Sequence, residues 1–412
     1  MSAFKLHTLK QKLWAIVAAS FVARVVLFFT LPNTPSSLAP DEGTYASLAK
    51  WIAESKSASE FRGHGDGLYL SSRSVIIPAS ALVKFGMNEL NAIRVTSSIF
   101  GFLSLCLLAY LCSKLLNSTS FSFEEKRKTE RLVISLLLIY SFLPSHFVWS
   151  NLGLRESPNE FWLIMAFTGV FLLNKDGQTK KPLLAALVCI SIICTFGSRP
   201  QVGWVLVVTL LIYSIFRLRN KLTYLLITSV LIGLFAGYLT TTSHGSERSL
   251  NLVEVGIEKI GAIPGMQIAN QAGATSMIER LACPWEESTN IGKYSCLAFR
   301  APFMTFTFLF RPLLFIDTTS LSSVFAATEN MLWIFMFVLI TYRISKGKRI
   351  PFLAELAPVL VFFPLYVVGA GSYEGNMGTA FRHKSLVLWI VLLLILITNK
   401  AIAERRIEKS GD

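Results

Sequence analysis

Long apolar runs recur from one end of the chain to the other, and short polar segments separate them. Each run has about the 17 to 25 residues that a helix needs to cross the hydrocarbon core of a bilayer. The pattern predicts an all-α, polytopic membrane protein with about ten transmembrane helices. We place them near residues 13–31, 90–112, 131–150, 158–174, 181–197, 201–216, 222–240, 322–342, 352–370 and 385–399. The first run is too long for a cleavable signal peptide and lacks a small-residue cleavage site, so we expect it to remain as a helix.

Composition agrees with the membrane class and indicates the topology. Hydrophobic residues make up 53% of the chain, charged residues only 16%, and the net charge is +14. When the N-terminus is taken as cytoplasmic, Lys and Arg concentrate in every second loop, as the positive-inside rule requires. These basic loops are residues 114–131, 175–181, 217–221 and 343–349, followed by the tail from residue 400. We therefore interpret the charge as a topology signal that contacts membrane lipids, and we expect no nucleic-acid partner.

The other, extracytoplasmic face carries the long loops 32–89 and 241–321 and the turns 150–157, 198–200 and 371–384. We divide the chain into a transmembrane module, 1–240, which includes the first long loop, then the second long loop, 241–321, then the C-terminal helices and tail, 322–412. The second loop is predicted to hold short amphipathic helices on the membrane surface. Its apolar end is interrupted by Arg311-Pro312, which favours a re-entrant or interfacial segment over another crossing. Function is expected on this face.

Six cysteines divide between the helices and the second long loop. Cys106, Cys112, Cys189 and Cys194 fall inside predicted helices, whereas Cys283 and Cys296 share the loop. The loop pair is predicted to form a disulfide if that face is oxidising. Neither a CxxC motif nor Cys/His zinc-ligand spacing occurs, so a structural zinc site is not expected.

Two adjacent carboxylates, Asp41 and Glu42, open the first long loop at the lipid boundary, where charge is costly to bury without a partner or a task. Tyr45 and the apolar residues after it follow at helical spacing, which predicts a short helix along the membrane with the acids in its first turn. A capping role, in which Asp41 caps this helix and Glu42 complements its dipole, is the alternative to catalysis.

A second polar boundary follows the third predicted helix, where Arg155 and Glu156 lie side by side. A solvated ion pair between Arg155 and Glu156 or Glu160 is the alternative to a functional role. More basic residues recur at the extracytoplasmic ends of the helices, against the positive-inside tendency. They are Arg73, Arg94, Arg199, Arg311, Arg382 and Lys384. An anionic ligand on this face would explain them, because the arginine fork binds phosphate oxygens in pairs; binding of ordinary lipid headgroups is the alternative.

The order of these elements resembles the GT-C superfamily of membrane glycosyltransferases. The strings that carry the resemblance are PDEGTYASLAKWI after the first helix, RSVIIPASALVKFG, NAIRVTSSIFGFLSL at the second helix, and LRESPNEFWL after the third. The similarity is to the bacterial enzymes related to protein O-mannosyltransferases and aminoarabinose transferases, of glycosyltransferase families 39 and 83. It covers about the first 215 residues. The chain departs from those families in having neither their large soluble C-terminal domain nor a longer transmembrane array.

The resemblance implies transfer of a sugar from a polyprenyl-phosphate donor to a glycan, lipid or protein acceptor, with inversion at the anomeric carbon. Asp41 would be the general base, with Glu42 and Glu156 as further catalytic carboxylates. Arg155, Arg199, Arg382 and Lys384 would neutralise the donor phosphate. Tyr45, Arg73, Arg94, Arg311 and Tyr373 would contact substrate. Three carboxylates could hold Mg²⁺ or Mn²⁺, but arginine could serve the phosphate equally, so we expect no obligatory metal. We expect a bacterial plasma membrane with the site facing the periplasm or cell exterior; in any other cell the same face would be an organelle lumen.

Three other interpretations remain open from the sequence. A polysaccharide polymerase or ligase using a lipid-pyrophosphate donor would place its chemistry in the second long loop and would tolerate loss of Asp41. A lipid-linked saccharide flippase would carry charged or broken helices near the membrane midplane and internal repeats. A structural membrane protein would leave the acids and arginines of the extracytoplasmic face without a purpose.

Overall fold

Helices form every regular element of the part of the chain that the computed structural model describes, which comprises residues 2–36, 39, 41–61, 65–117, 123–174, 181–216, 290–315, 321–346, 353–374 and 377–410. The N-terminal helices are α1 (Ser2–Thr30), α2 (Asp41–Ala53), α3 (Gly65–Leu70), α4 (Arg73–Lys84), α5 (Glu89–Asn117), α6 (Phe123–Phe142), α7 (Pro144–Trp149), α8 (Glu156–Leu173), α9 (Lys181–Phe196) and α10 (Pro200–Phe216). The C-terminal helices are α11 (Asn290–Phe310), α12 (Leu321–Lys346), α13 (Leu353–Tyr373), α14 (Met377–Ser385) and α15 (Leu388–Ser410). The predicted helix near 222–240, Cys283 and the Cys296 side chain lie outside the described residues.

Membrane association follows from the length and hydrophobicity of several of these helices. Leu9–Thr30, Glu89–Leu116 and Ser323–Ser345 are long and apolar enough to cross a bilayer. Gly378–Ser385 and Leu388–Asn399 pass the same test together as a bent pair. Shorter apolar helices cover Lys181–Phe196, Pro200–Ile215 and Ala357–Ser372. The prediction of an all-α membrane protein is thus confirmed at this coarse level.

Two of the predicted spans are interrupted in the structure. The run 131–150 is divided between α6 and α7, with Leu143 in an extended conformation at the break. Pro144 accounts for this, because proline lacks a backbone N–H and disfavours helical geometry in the residue before it. The run 385–399 does not begin a new helix at its first residue, since α14 ends at Ser385 and α15 begins at Leu388. In the sequence, Pro144 is the signal that indicates the first of these breaks.

The chain divides into two compact units, which we describe separately. Unit 1 comprises Met1–Leu210, Met336–Val359 and Leu386–Asp412, and unit 2 comprises Leu211–Phe335 and Leu360–Ser385. In unit 1, α8 packs between α5 and α9 and is buried along most of its length. A helix that is apolar all round is stable when other helices or lipid surround it. In unit 2, α11 packs against α14.

A compact apolar cluster in unit 1 fixes the short helices that follow α1. It joins α2, α4, the first turns of α5 and the segment just before α8. Its buried members include Tyr45, Leu48, Ile76, Ile93 and Leu154. Burying each large apolar side chain of this kind contributes about 1.5 to 3 kcal/mol. The cluster therefore sets the position of the acidic N-terminus of α2 relative to α5 and α8.

Candidate functional site

Glu42 is the central acid of unit 1 and is completely buried. Arg94 of α5 donates two parallel hydrogen bonds to it, from Nε to Oε1 at 2.8 Å and from Nη2 to Oε2 at 2.9 Å. The backbone N–H of Gly153 donates to Oε1 at 2.8 Å, and that of Ser36 donates to Oε2 at 3.0 Å. Each carboxylate oxygen thus accepts two hydrogen bonds, which fills the usual capacity of an ionised carboxylate.

Arg94 uses four of its five N–H donors within this cluster. Its Nη1 donates to the carbonyl of Pro32 at 2.7 Å, and its Nη2 donates to the carbonyl of Thr34 at 3.0 Å. The side chain is 1% exposed. Arg94 therefore holds Glu42 and the segment after α1, and its predicted contact with substrate stays a prediction.

Gly153 lies in close contact with this ion pair. A Cβ atom at Gly153 would stand 2.3 Å from Cγ2 of Ile93 and 3.1 Å from Cγ of Glu42. Only glycine lets the backbone approach near enough to donate its N–H to the carboxylate. The turn before α8 is therefore fastened to the start of α2, although the two lie more than 100 residues apart in the sequence.

Asp41 is the first residue of α2 and directly precedes the locked Glu42. Its side chain is half-buried, whereas that of Glu42 is fully buried. The two adjacent acids thus have different surroundings, and Asp41 is the one nearer the surface of unit 1. Its partial exposure is what a base requires, since a base must reach the proton that it removes.

Three arginines predicted from the sequence lie on segments that contact one another in unit 1. Arg155 donates from Nη1 to the carbonyl of Ser71 at 3.1 Å and to its hydroxyl at 3.2 Å. Arg199 donates from Nη2 to Oε1 of Glu156 at 2.5 Å. Arg73 lies against Gly197, where an added Cβ would meet Cγ of Arg73 at 2.8 Å.

These contacts form a closed ring of three chain segments. The start of α4 is joined to the α9–α10 turn, because the N–H of Ser74 donates to the carbonyl of Gly197 at 3.0 Å and the hydroxyls of Ser74 and Ser198 are hydrogen-bonded. Arg155 joins the start of α8 to the segment before α4, and Arg199 joins α10 to α8. We call these segments, residues 71–74, 153–157 and 197–200, the arginine ring.

Three helices begin at the arginine ring, namely α4, α8 and α10. Helix N-termini present unpaired backbone N–H groups and a partial positive charge, and so they favour anions. The caps Ser72 and Arg155 make no side-chain capping bond. The buried hydroxyls of Ser72 and Ser157 have no hydrogen-bond partner among the described residues. Positive charge and hydroxyl donors therefore meet in the arginine ring. The hydrogen bond from Gly153 to Glu42 connects this ring to the residue that follows Asp41.

The other residues predicted to contact the donor or substrate lie in different parts of the molecule. Tyr45 is 4% exposed and belongs to the apolar cluster of unit 1. Arg311, Arg382 and Lys384 lie in unit 2, and the side chain of Tyr373 lies outside the described residues. Lys384 is buried and donates to Asn330 and to the carbonyl of Leu309. Its role and those of Arg311 and Arg382 in donor binding stay predictions.

Sequence reasoning missed several buried polar contacts. His146 and His383, which look isolated in the sequence, are hydrogen-bonded to Glu160 and to Glu374 respectively. The serines at positions 71, 74 and 198, which connect the arginine ring, had no assigned role. The signal that could have indicated these serines is that they adjoin or contact the predicted site residues Arg73, Arg155 and Arg199. Among the described residues, no group of three or more His, Cys, Asp or Glu side chains is arranged to hold a metal ion.

Comparison with known proteins gives no family to this chain. No protein-family model, no curated protein and no solved structure matches it. The functional interpretation therefore depends on the residues and contacts described above.

Proposed function

We propose that this protein is an inverting GT-C-type glycosyltransferase that moves a sugar from a polyprenyl-phosphate donor to a glycan, lipid or protein acceptor. In this proposal Asp41 takes the proton of the acceptor hydroxyl while the hydroxyl oxygen attacks the anomeric carbon. The bond between that carbon and the phosphate oxygen breaks, the configuration inverts, and polyprenyl phosphate leaves. The resemblance in the sequence supplies the reaction type, and the site in unit 1 supplies the residues.

The observation that carries the proposal is the difference in burial between Asp41, which is half-buried, and Glu42, which is fully buried and hydrogen-bonded. Glu42 accepts four hydrogen bonds, two of them from Arg94, and so has no lone pair left for a substrate. Its role in the proposal is to position Asp41 and the turn before α8. A capping role for the pair explains Asp41 but does not explain why Glu42 binds a buried arginine and a distant glycine N–H.

The arginine ring supplies the other half of the proposed chemistry. Arg73 and Arg155 bring guanidinium groups to the ring, and Arg199 pairs there with Glu156. A departing phosphate develops negative charge in the transition state, and fixed donors aimed at it lower the barrier. The hydroxyls of Ser72 and Ser157 are suited to bind the same oxygens. Guanidinium groups serve the phosphate in this proposal, which requires no metal ion.

The proposal includes the topology expected from the sequence. About ten helices cross a bacterial plasma membrane, and the arginine ring faces the periplasm or cell exterior. The lipid tail of the donor then stays in the bilayer while its phosphate reaches the ring. This orientation explains why so many basic residues lie on the face that the positive-inside rule leaves poor in charge.

Complementation of a deletion strain tests the function. Wild type, Asp41→Asn and the control Glu60→Gln are expressed, and mass spectrometry follows the envelope glycans and the lipid-linked sugars. Glu60 lies in the same loop and is exposed. We expect the deletion and Asp41→Asn to lose one sugar from one glycan and to accumulate one lipid-linked sugar, while Glu60→Gln restores both. Full restoration by Asp41→Asn would remove Asp41 as the base and favour a polymerase or a transporter.

A further inference from the structure

A second polar cluster lies inside unit 1, around the segment that directly precedes the turn before α8. Arg24 is 3% exposed although it lies within the apolar span Leu9–Thr30. Its Nη1 is hydrogen-bonded to the hydroxyl of Ser150, and its guanidinium lies 5.5 Å from the ring centroid of Phe147. A buried arginine in a membrane helix is costly unless other groups compensate for its charge. Both partners come from α7 or the residue just after it.

Glu160 of α8 is the compensating acid. It is 3% exposed, and its Oε2 lies 2.8 Å from Nε2 of His146, which is also on α7. Arg24 and Glu160 thus approach the same short segment from two sides, Arg24 through Ser150 and Glu160 through His146. The buried cluster of Arg24, His146, Ser150 and Glu160 thus contains one guanidinium and one carboxyl group. We call these four residues the clamp.

Gly101 of α5 is what allows the clamp to close. A Cβ atom at this position would stand 2.8 Å from Cβ of Ser150 and 3.1 Å from Nη1 of Arg24. The glycine therefore lies directly against the hydrogen bond between α1 and the end of α7. No polar group of Gly101 takes part, so a methyl group placed there would disturb the clamp without removing a partner.

The clamp includes Ser150, the residue at the start of the turn that carries Gly153 and Arg155. Directly after Ser150, Asn151 accepts a hydrogen bond from Ser98 at 3.0 Å, and the carbonyl of Leu154 accepts one from Ser97 at 2.7 Å. Between them, Gly153 donates to Glu42, and Arg155 then enters the arginine ring. The turn is thus held by α5 along its length and by the clamp at its start.

We propose that Arg24, His146 and Glu160 are positioning residues that fix the turn 150–155 and, through it, Gly153 and Arg155 in the proposed site. Arg24 and Glu160 act as a charge-balanced pair that joins α1 to α8 through α7. Removing one charge leaves the other buried and uncompensated, so the turn shifts. Removing both charges leaves no buried charge without a counter-charge, so the turn returns to its wild-type position. This inference rests on the proposed function only for its catalytic consequence.

Cross-linking measures the position of the turn without any transfer assay. In a full-length chain whose native cysteines are replaced, Ser98→Cys with Asn151→Cys reports the turn, and a short thiol cross-linker joins the two. Ser98 lines a groove between α1 and α5, so the reagent attaches to Cys at position 98 first, and its free end then reacts with the buried position 151. Ser74→Cys with Ser198→Cys is the control pair, since it joins α4 to the α9–α10 turn outside the clamp.

We expect Arg24→Gln and Glu160→Gln to reduce cross-linking of the reporter pair severalfold and to leave the control pair unchanged. The double variant is expected to recover most of the reporter signal. Gly101→Ala should reduce the reporter signal in the same way, while Gly369→Ala, where an added Cβ meets nothing within 4 Å, should not. Unchanged reporter cross-linking in Gly101→Ala would overturn the inference, even if the charge variants fail to fold. A double variant no better than either single variant would overturn the charge-balanced pair.

Transfer in the same variants, without the reporter cysteines, separates positioning from folding. We expect Gly101→Ala to keep the amount of folded protein and to lose roughly 100-fold in transfer per folded molecule, the loss that a displacement of about 1 Å causes. A fall in transfer that only matches a fall in folded protein would contradict the positioning role. If wild type transfers no sugar while cross-linking follows the clamp, the proposed function fails and the clamp stands.

Discussion

At the residue scale, the contrast between Asp41 and Glu42 is the most informative feature of this molecule. Both acids were expected from the sequence to share the chemistry, and their surroundings separate them. Glu42 is enclosed by Arg94 and two backbone N–H groups, whereas Asp41 keeps partial exposure. Adjacent residues on a helix point in directions about 100° apart, so one can enter the core while the other stays at its edge. Sequence position alone does not reveal which.

Removing either Glu42 or Arg94 alone is expected to destabilise unit 1 strongly. Glu42→Gln or Arg94→Met leaves one buried charge uncompensated, which costs about 3 to 5 kcal/mol. Thermal unfolding of the purified protein in detergent measures this loss. The control is Glu54→Gln, because Glu54 pairs with Lys56 on the surface and should leave the unfolding temperature unchanged. Equal unfolding temperatures for Glu42→Gln and Glu54→Gln would contradict the assigned role.

Arg155 is expected to act on the reaction rather than on the fold. Its Nη1 donates to the carbonyl and hydroxyl of Ser71, and the side chain is half-buried. Arg155→Gln removes a donor from the developing phosphate charge, so transfer should fall by about 100- to 1000-fold. Transfer per folded molecule is the measurement, and Arg127→Gln, at an exposed position of α6, is the control. Transfer equal to that of the control would exclude Arg155 from phosphate binding.

At the element scale, close packing at glycines determines how the short helices meet. Gly153 allows the turn before α8 to approach α2 and α5, and Gly197 allows Arg73 to lie on the α9–α10 turn. Both glycines lie in turns next to predicted site residues. The sequence indicates the turns but does not indicate which glycine is needed for space, because that depends on the segment packed against it.

Gly153→Ala is expected to destabilise unit 1 through overpacking. The new methyl group would meet Ile93 and Glu42, so it should cost about 1 to 3 kcal/mol and weaken the N–H bond to Glu42. The matched substitution Gly369→Ala lies in α13 with open space around it and should leave stability unchanged or raise it. Chemical denaturation of both variants gives the comparison. A Gly153→Ala chain as stable as the Gly369→Ala chain would show that this close contact does not form.

Much of the helical fold was predictable, and the interruptions show where prediction stopped. The runs 13–31, 90–112 and 322–342 correspond to α1, α5 and α12, because long apolar composition alone specifies such helices. The run 131–150 looked continuous, but Pro144 divides it. Which distant side chains form ion pairs was harder to predict than where the helices lie. Arg94 was recognised as exceptional, yet its partner Glu42 lies 52 residues away, and no local pattern joins the two.

At the scale of the whole molecule, charge distribution predicts how the chain lies in the membrane. Residues 32–89 should face the outside and residues 114–131 the cytoplasm, because the second segment carries the basic cluster. Both segments include exposed positions that can report this, such as Ser57 before the short 3₁₀ turn and Glu124 at the start of α6. The same orientation places the arginine ring on the outer face in our proposal.

Cysteine labelling measures this orientation directly. In spheroplasts that express a cysteine-free chain, we expect Ser57→Cys to react with a membrane-impermeant maleimide. Glu124→Cys should react only after the membrane is permeabilised. The opposite labelling pattern would invert the topology and would place the proposed site on the cytoplasmic side, where a periplasmic acceptor could not reach it.

The most direct measurement of the central claim is the release of polyprenyl phosphate. Lipids extracted from the deletion strain, which are expected to contain the accumulated donor, are incubated with purified protein and the acceptor fraction, and mass spectrometry counts donor and free polyprenyl phosphate. Wild type should convert one lipid-linked sugar to polyprenyl phosphate with matching gain of sugar on the acceptor, and Asp41→Asn should not. Equal release by both proteins, or release of polyprenyl pyrophosphate, would contradict transfer from a polyprenyl-phosphate donor with Asp41 as the base.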